Sequence, residues 1–234
     1  MSFHRTRFIT ALVTLLICRP GSALPVDVVA QVQFTHVDQQ KATRVQSSGV
    51  VIWLNPISDD PPASAKPGHF RLVQKDKSFH PHLLVIPLGS SVDFPNMDPF
   101  FHNVFSQFNG KRFDLGLYEE GSNKTVRFDH EGVSYIFCNI HPEMSAVVIS
   151  LATPYVGVSS QQGGFELHDV PQGTYEMHVW AEGVDSKQLN GLTRTVRIGP
   201  TQTDLGVLQL VESGVPAHKN KYGQDYFPDK STTY

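Results

Sequence analysis

The sequence predicts an all-β chain, and three observations carry that prediction. Eighteen glycines and 16 prolines punctuate the 234 residues, so the runs between them are short. Within those runs apolar and polar side chains alternate, which suits strands with one face in a core. Few segments repeat apolar residues at the spacing of an amphipathic helix.

The chain opens on a basic stretch ending at Arg7, then an apolar run from Phe8 to Cys18, then Pro20-Gly21-Ser22-Ala23. This is the pattern of a secretory signal peptide over residues 1–23, with small residues at Gly21 and Ala23 suited to cleavage before Leu24. The apolar run is too short to span a bilayer as a helix. No later segment is longer or more apolar, so the mature chain is expected to carry no transmembrane segment and to be periplasmic or secreted. Reading Cys18 as a lipidated terminus conflicts with bulky Ile17, where a lipoprotein signal needs a small residue. Cleavage removes Arg5, Arg7 and Arg19 and no acidic residue, leaving 16 basic side chains against 22 acidic ones and a formal charge of −6. That balance argues against a nucleic-acid partner. Cleavage also leaves Cys138 without a second cysteine, in a compartment that oxidises cysteine pairs.

Residues Val28 to Phe34 and Gly49 to Leu54 read as two early strands, and Asp59 to Gly68, rich in Pro, Ala and Asp, as a linker. Leu83 to Ile86 and Val92 to Phe94 flank Pro87-Leu88-Gly89 as two strands around a turn. After the turn-rich Pro95-Asn96-Met97-Asp98-Pro99, His102 opens the run Asn103-Val104-Phe105-Ser106. Lys124 to Phe128 alternates with Val126 and Phe128 on one face, and Val133 to Phe137 and Ser145 to Ser150 read as two further strands.

Between those last two strands lies Cys138-Asn139-Ile140-His141-Pro142-Glu143-Met144, which places a thiol, an imidazole and a thioether within seven residues. A lone cysteine is commonly a buried, inert side chain. Here its spacing to His141 and Met144, on a tight loop at one end of a sheet, matches the trigonal His2Cys site with a weak axial Met that suits copper. The second imidazole must come from elsewhere, and His102, upstream at a strand start, is the candidate.

The stretch from about Phe79 to Ser150 resembles a cupredoxin of the plastocyanin and amicyanin group. His102-Asn103-Val104 is similar to that family's first-ligand motif, and the Cys-x2-His-x2-Met loop with Pro142 after the second histidine is most similar to amicyanin. The resemblance implies one type 1 copper per chain, held by the thiolate of Cys138, the imidazoles of His102 and His141, and axial Met144. It also implies that Asn103 ties the two ligand loops together by hydrogen bonding, and that His141 is the ligand nearest solvent. Phe137 departs from plastocyanins, which carry a tyrosine beside the cysteine. Apolar neighbours such as Phe100, Phe101, Phe137, Ile140 and Pro142 would exclude water and disfavour the more charged oxidised site.

Gly163-Gly164-Phe165 followed by Val170-Pro171-Gln172-Gly173-Thr174-Tyr175 and an alternating strand resembles the carboxypeptidase regulatory, transthyretin-like β-sandwich. Its two earlier strands would then be those within residues 24–58. A cupredoxin domain at 67–152 would be inserted in that sandwich, which resumes over 153–212. A tandem order is the alternative. Residues 213–234 are polar without a core pattern and read as an arm or linker.

Other histidines have plainer readings. His80 and His82 suit an exposed loop better than a second metal clamp, and His130, His168 and His178 lack companion ligand spacing. Trp53 and Trp180 suit core or interface anchors. The expected function is an exported electron carrier working with another exported redox protein, such as a cytochrome c or a dehydrogenase. The two-module organisation resembles proteins labelled methylamine-utilisation-like. The alternatives are copper storage, delivery or sensing, and an assembly or adhesion module with structural copper. An enzyme is not expected, because four protein ligands leave no open coordination position.

Overall fold

The computed structural model describes residues 24–36, 48–58, 64–107, 110–201, 203–215 and 217–226. Residues 1–23, read from the sequence as a signal peptide, lie outside the described residues, as do residues 59–63 of the segment read as a linker and residues 227–234 of the tail. Among the described residues the chain is nearly all β, with seventeen strands and one short helix.

In chain order, β1 (Val26–His36) and β2 (Val51–Pro56) come first, followed by β3 (His69–Arg71), β4 (Val73–Lys75) and β5 (Ser78–His80). Next are β6 (Leu83–Pro87), β7 (Ser91–Pro95), β8 (His102–Ser106), β9 (Phe113–Tyr118) and β10 (Asn123–Arg127). β11 (Gly132–Phe137) and β12 (Ser145–Leu151) bracket the Cys-His-Met loop. Then follow β13 (Val156–Val158), β14 (Gly164–Val170), β15 (Gly173–Trp180), α1 (Ser186–Leu192), β16 (Arg194–Ile198) and β17 (Thr203–Glu212).

Four main sheets result. β14-β1-β17 and β13-β2-β15-β16 enclose one core, built from Val28, Val32, Ile52, Leu54, Phe165, Met177 and Leu210 among others. β10-β7-β3 and β6-β12-β11-β8-β9 enclose a second, with Val92, Phe94, Val104, Phe128, Ile136 and Val148 at its centre. β1 and β2 therefore share sheets with β13 to β17, and the strands β3 to β12 between them in sequence make the other sandwich. Strands β6 and β7, adjacent in sequence across Gly89 (φ +85°), lie in opposite sheets of it.

A third apolar cluster joins the two sandwiches. Along β12, Ala146 and Val148 face the second core while Val147, Ile149 and Leu151 face outward against Val51 and Trp180. β2 and β15 alternate in the same way, with Ile52, Leu54 and Val179 inward and Val51 and Trp180 outward. Period-two alternation thus serves two cores from one strand, which is why β12 reads as an almost unbroken apolar run. Tyr175 caps the β14–β15 turn by donating its hydroxyl to the Pro171 carbonyl at 2.8 Å.

Candidate metal centre

Sheet register builds the site. Phe137 pairs with Phe105 on one side and Ser145 on the other, which sets the end of β11 beside β8 and brings the 138–144 loop over His102. The loop closes on itself: the Cys138 N–H donates to the Met144 carbonyl at 3.3 Å and the Met144 N–H to the His141 carbonyl at 3.2 Å. His102, Cys138 and Met144 are fully buried, and His141 is half-buried at the rim.

Three donor atoms converge. Cys138 Sγ lies 3.8 Å from His102 Nδ1 and 3.6 Å from His141 Nδ1, and the two Nδ1 atoms are 3.1 Å apart. Imidazole nitrogens about 2.0–2.1 Å and a thiolate about 2.3 Å from one ion, at tetrahedral to trigonal angles, would be separated by about 3.3–3.6 Å (N to N) and about 3.6–3.8 Å (N to S). The observed spacings match to within a few tenths of an ångström, so the donor set fits a metal ion. Met144 packs in the same core cluster as Cys138, beneath the loop, and a thioether beside a thiolate and two imidazoles favours copper over harder ions.

The surroundings settle which atoms are free to ligate. Buried Asp98 accepts from His102 Nε2 at 2.8 Å, which leaves His102 Nδ1 with its lone pair toward Cys138. Burial alone would raise the Asp98 carboxyl, but the N–H groups of Lys77 and Asp76 and the His102 ring outweigh it and hold it below its ordinary value. Burial pushes the Cys138 thiol up, opposed by the N–H groups of Asn103, Ile140 and His141, which would stabilise a thiolate. Burial, with His102 and Lys77 nearby, holds the His141 imidazole below its ordinary value. Phe100 meets both imidazoles edge-on, with ring centroids 5.2 Å from His102 and 5.7 Å from His141.

The three flanking residues singled out by sequence take distinct roles. Asn103 does not bridge the ligand loops through its side chain: that amide donates to Asp114 Oδ1 at 2.7 Å, toward β9. Neighbouring strand residues point to opposite faces, so with His102 turned to the site the Asn103 side chain turns away, and only its backbone N–H reaches Cys138. Phe137 stacks on His218 with centroids 4.0 Å apart, and the Pro142 carbonyl accepts from His218 Nε2 at 2.6 Å.

Sequence reasoning missed Asp98, taken only as a turn residue, and missed the tail residues that reach this loop. His80 and His82 do not join a ligating group among the described residues; His82 bonds Glu182 at 2.7 Å instead. His168 does have companions, Asp27 and Glu166, but all three are exposed and form an ordinary surface cluster.

No protein-family model matches the chain, and no curated protein matches it. Among solved structures, a purple cupredoxin from Nitrosopumilus maritimus is 26% identical across 35% of this chain and 98% of its own, with a TM-score of 0.31. Amicyanin from Paracoccus versutus is 19% identical, covering 42% of this chain and 97% of its own at a TM-score of 0.34. A Cu-containing nitrite reductase from Thermus scotoductus SA-01 is 20% identical, covering 51% of this chain but 28% of its own, at a TM-score of 0.34.

Proposed function

We propose that the chain is an exported electron carrier of the cupredoxin kind, with one copper held by His102, Cys138, His141 and Met144. The convergence of Cys138 Sγ and the two Nδ1 atoms within 3.1–3.8 Å carries this reading. Copper bound there would supply one-electron chemistry. The protein supplies a fixed donor set: His102 is oriented by Asp98, Cys138 by three backbone N–H groups, and Met144 by core packing. Donors anchored in this way barely move between oxidation states, which keeps the reorganisation on electron transfer small.

With four protein donors no position is left for substrate, so the reading is a carrier rather than an enzyme. His141 is the half-buried donor, and exposed Met97, Phe101 and Ile140 lie on the two ligand-bearing loops. An apolar rim around a solvent-facing ligand suits brief docking with an exported redox partner such as a cytochrome c or a dehydrogenase. No helix among the described residues is long and apolar enough to cross a membrane. Export rests on the signal-peptide pattern of residues 1–23, and the inserted placement of residues 67–152 on the sharing of sheets by β1, β2 and β13 to β17.

The deciding experiment is an absorption and electron paramagnetic resonance spectrum of the mature chain with one equivalent of Cu(II). An intense visible band with narrow copper hyperfine splitting is expected. A pale spectrum with wide splitting would mean an ordinary tetragonal copper and would remove the electron-carrier reading.

A further inference from the structure

The tail beyond β17 carries no core pattern, yet its residues meet the 138–144 loop along most of its length. Tyr226 donates its hydroxyl to the Cys138 carbonyl at 2.7 Å, the Lys221 N–H donates to Asn139 Oδ1 at 3.0 Å, and His218 Nε2 bonds the Pro142 carbonyl at 2.6 Å. Tyr226 Oη and His218 Nδ1 lie 3.2 Å apart and the two rings meet edge to face, so the two side chains pack together beside the loop. Lys221 Nζ also reaches Asp114 Oδ2 at 2.7 Å. The other oxygen of Asp114 holds the side chain of Asn103, whose backbone N–H meets the Cys138 sulfur.

The segment is shaped for this. Buried Asn220 accepts the N–H groups of Tyr222 and Gln224 at 2.9 and 3.0 Å, closing a tight turn that presents Lys221 and Tyr226 on one side. Gln107, at the end of β8, donates to the Lys221 carbonyl and fixes that turn to the ligand-bearing sheet.

We propose that His218, Lys221 and Tyr226 are positioning residues, a clasp that holds the ligand loop in its metal-binding arrangement. This rests on the copper reading for its purpose but not for its contacts. A loop of seven residues has backbone freedom that β11 and β12 restrain only at its ends. The bonds from Tyr226 to the Cys138 carbonyl, from the Lys221 N–H to the Asn139 side chain and from His218 to the Pro142 carbonyl add restraints along it, and a Cu(II) site is then held back from relaxing toward a tetragonal arrangement.

The test uses the full mature chain, native, with Tyr226→Phe alone, and with His218→Ala, Lys221→Ala and Tyr226→Phe together, where Lys221→Ala removes the Nζ–Asp114 bond and leaves the backbone N–H on Asn139 Oδ1. In the metal-free proteins, amide hydrogen exchange of residues 138–145 is expected to quicken roughly ten-fold or more in the triple variant, less in Tyr226→Phe, with β1 and β15 unchanged. In the Cu(II)-loaded triple variant the copper hyperfine splitting is expected to widen. Unchanged loop exchange in both variants, equal quickening in β1 and β15, or an unaltered splitting would overturn the clasp. A native chain with no intense visible band would instead remove the copper reading, while the exchange result on metal-free protein still judges the clasp. Tyr226→Phe deletes one hydroxyl and keeps the ring, so it reads the contact even if the triple variant folds poorly.

Discussion

Asp98 acts on the proposed metal donor His102 by direct contact, without being a ligand itself. By accepting from His102 Nε2 it fixes the tautomer and the ring plane, and its negative charge makes the imidazole a better donor. Asp98→Asn should therefore weaken Cu(II) binding by roughly 10–100-fold and raise the midpoint potential, measured by chelator competition and redox titration. The same carboxyl is held below its ordinary 3.8 in the folded chain. It contributes stability at pH above that value and loses it as pH falls through the lower folded value, so Asp98→Asn should flatten the acid limb of a stability-versus-pH curve for metal-free protein. Cys138→Ser should abolish the visible charge-transfer band; a variant that stays equally coloured sinks the donor set. Met144→Leu should keep the colour and raise the potential, because it removes a weak donor that favours oxidised copper. The convergence of Cys138, His141 and His102 was legible in the sequence, the first two because one short loop carries them and His102 because it opens a strand. Asp98, Lys221 and Tyr226 were not, because nothing local distinguishes a turn aspartate or a polar tail residue from one folded against a ligand.

At the scale of elements, alternation made most strands legible. Val28 to Phe34, Lys124 to Phe128, Val133 to Phe137 and Ser145 to Ser150 all fall in observed strands, with ends shifted by a residue or two. Helix α1 was missed because its seven residues turn only Leu189 and Leu192 toward the first core, both partly buried and too few to mark an apolar stripe, although Asp185 caps it by accepting the Lys187 N–H at 2.8 Å. The short strand β13 depends on a close approach instead of on pattern. A Cβ added to Gly157 would lie 2.8 Å from the Phe165 ring and 3.1 Å from the Leu167 side chain, both part of the first core. Gly157→Ala should therefore cost about 1–3 kcal/mol by overpacking, seen as a melting temperature lowered by several degrees in a scan followed by circular dichroism, with the copper spectrum unchanged. A wild-type melting temperature would show that Phe165 can swing aside and that β13 tolerates a side chain there.

For the whole molecule, the question is whether two sandwiches with separate cores behave as one cooperative unit. Three features tie them: the cluster of Val51, Trp180, Val147, Ile149 and Leu151, the His82–Glu182 pair at 2.7 Å, and the tail that leaves β17 in one sandwich to reach the ligand loop of the other. The cluster contributes most, because apolar burial scales with area, whereas a half-exposed His–Glu pair contributes little. Copper binding in one sandwich should then also stabilise the other, since an ion that binds only the folded site shifts the shared equilibrium. In the native chain, loss of the visible band and the change in tryptophan fluorescence from Trp53 and Trp180 should coincide on heating. Trp180→Ala removes the largest side chain buried at the junction, at a cost of about 3–5 kcal/mol, and should split the single transition in two, with the calorimetric enthalpy exceeding the van't Hoff value. A single transition that moves down in temperature without splitting would mean that the continuous chain at the two crossings, together with the tail, couples the sandwiches without that cluster.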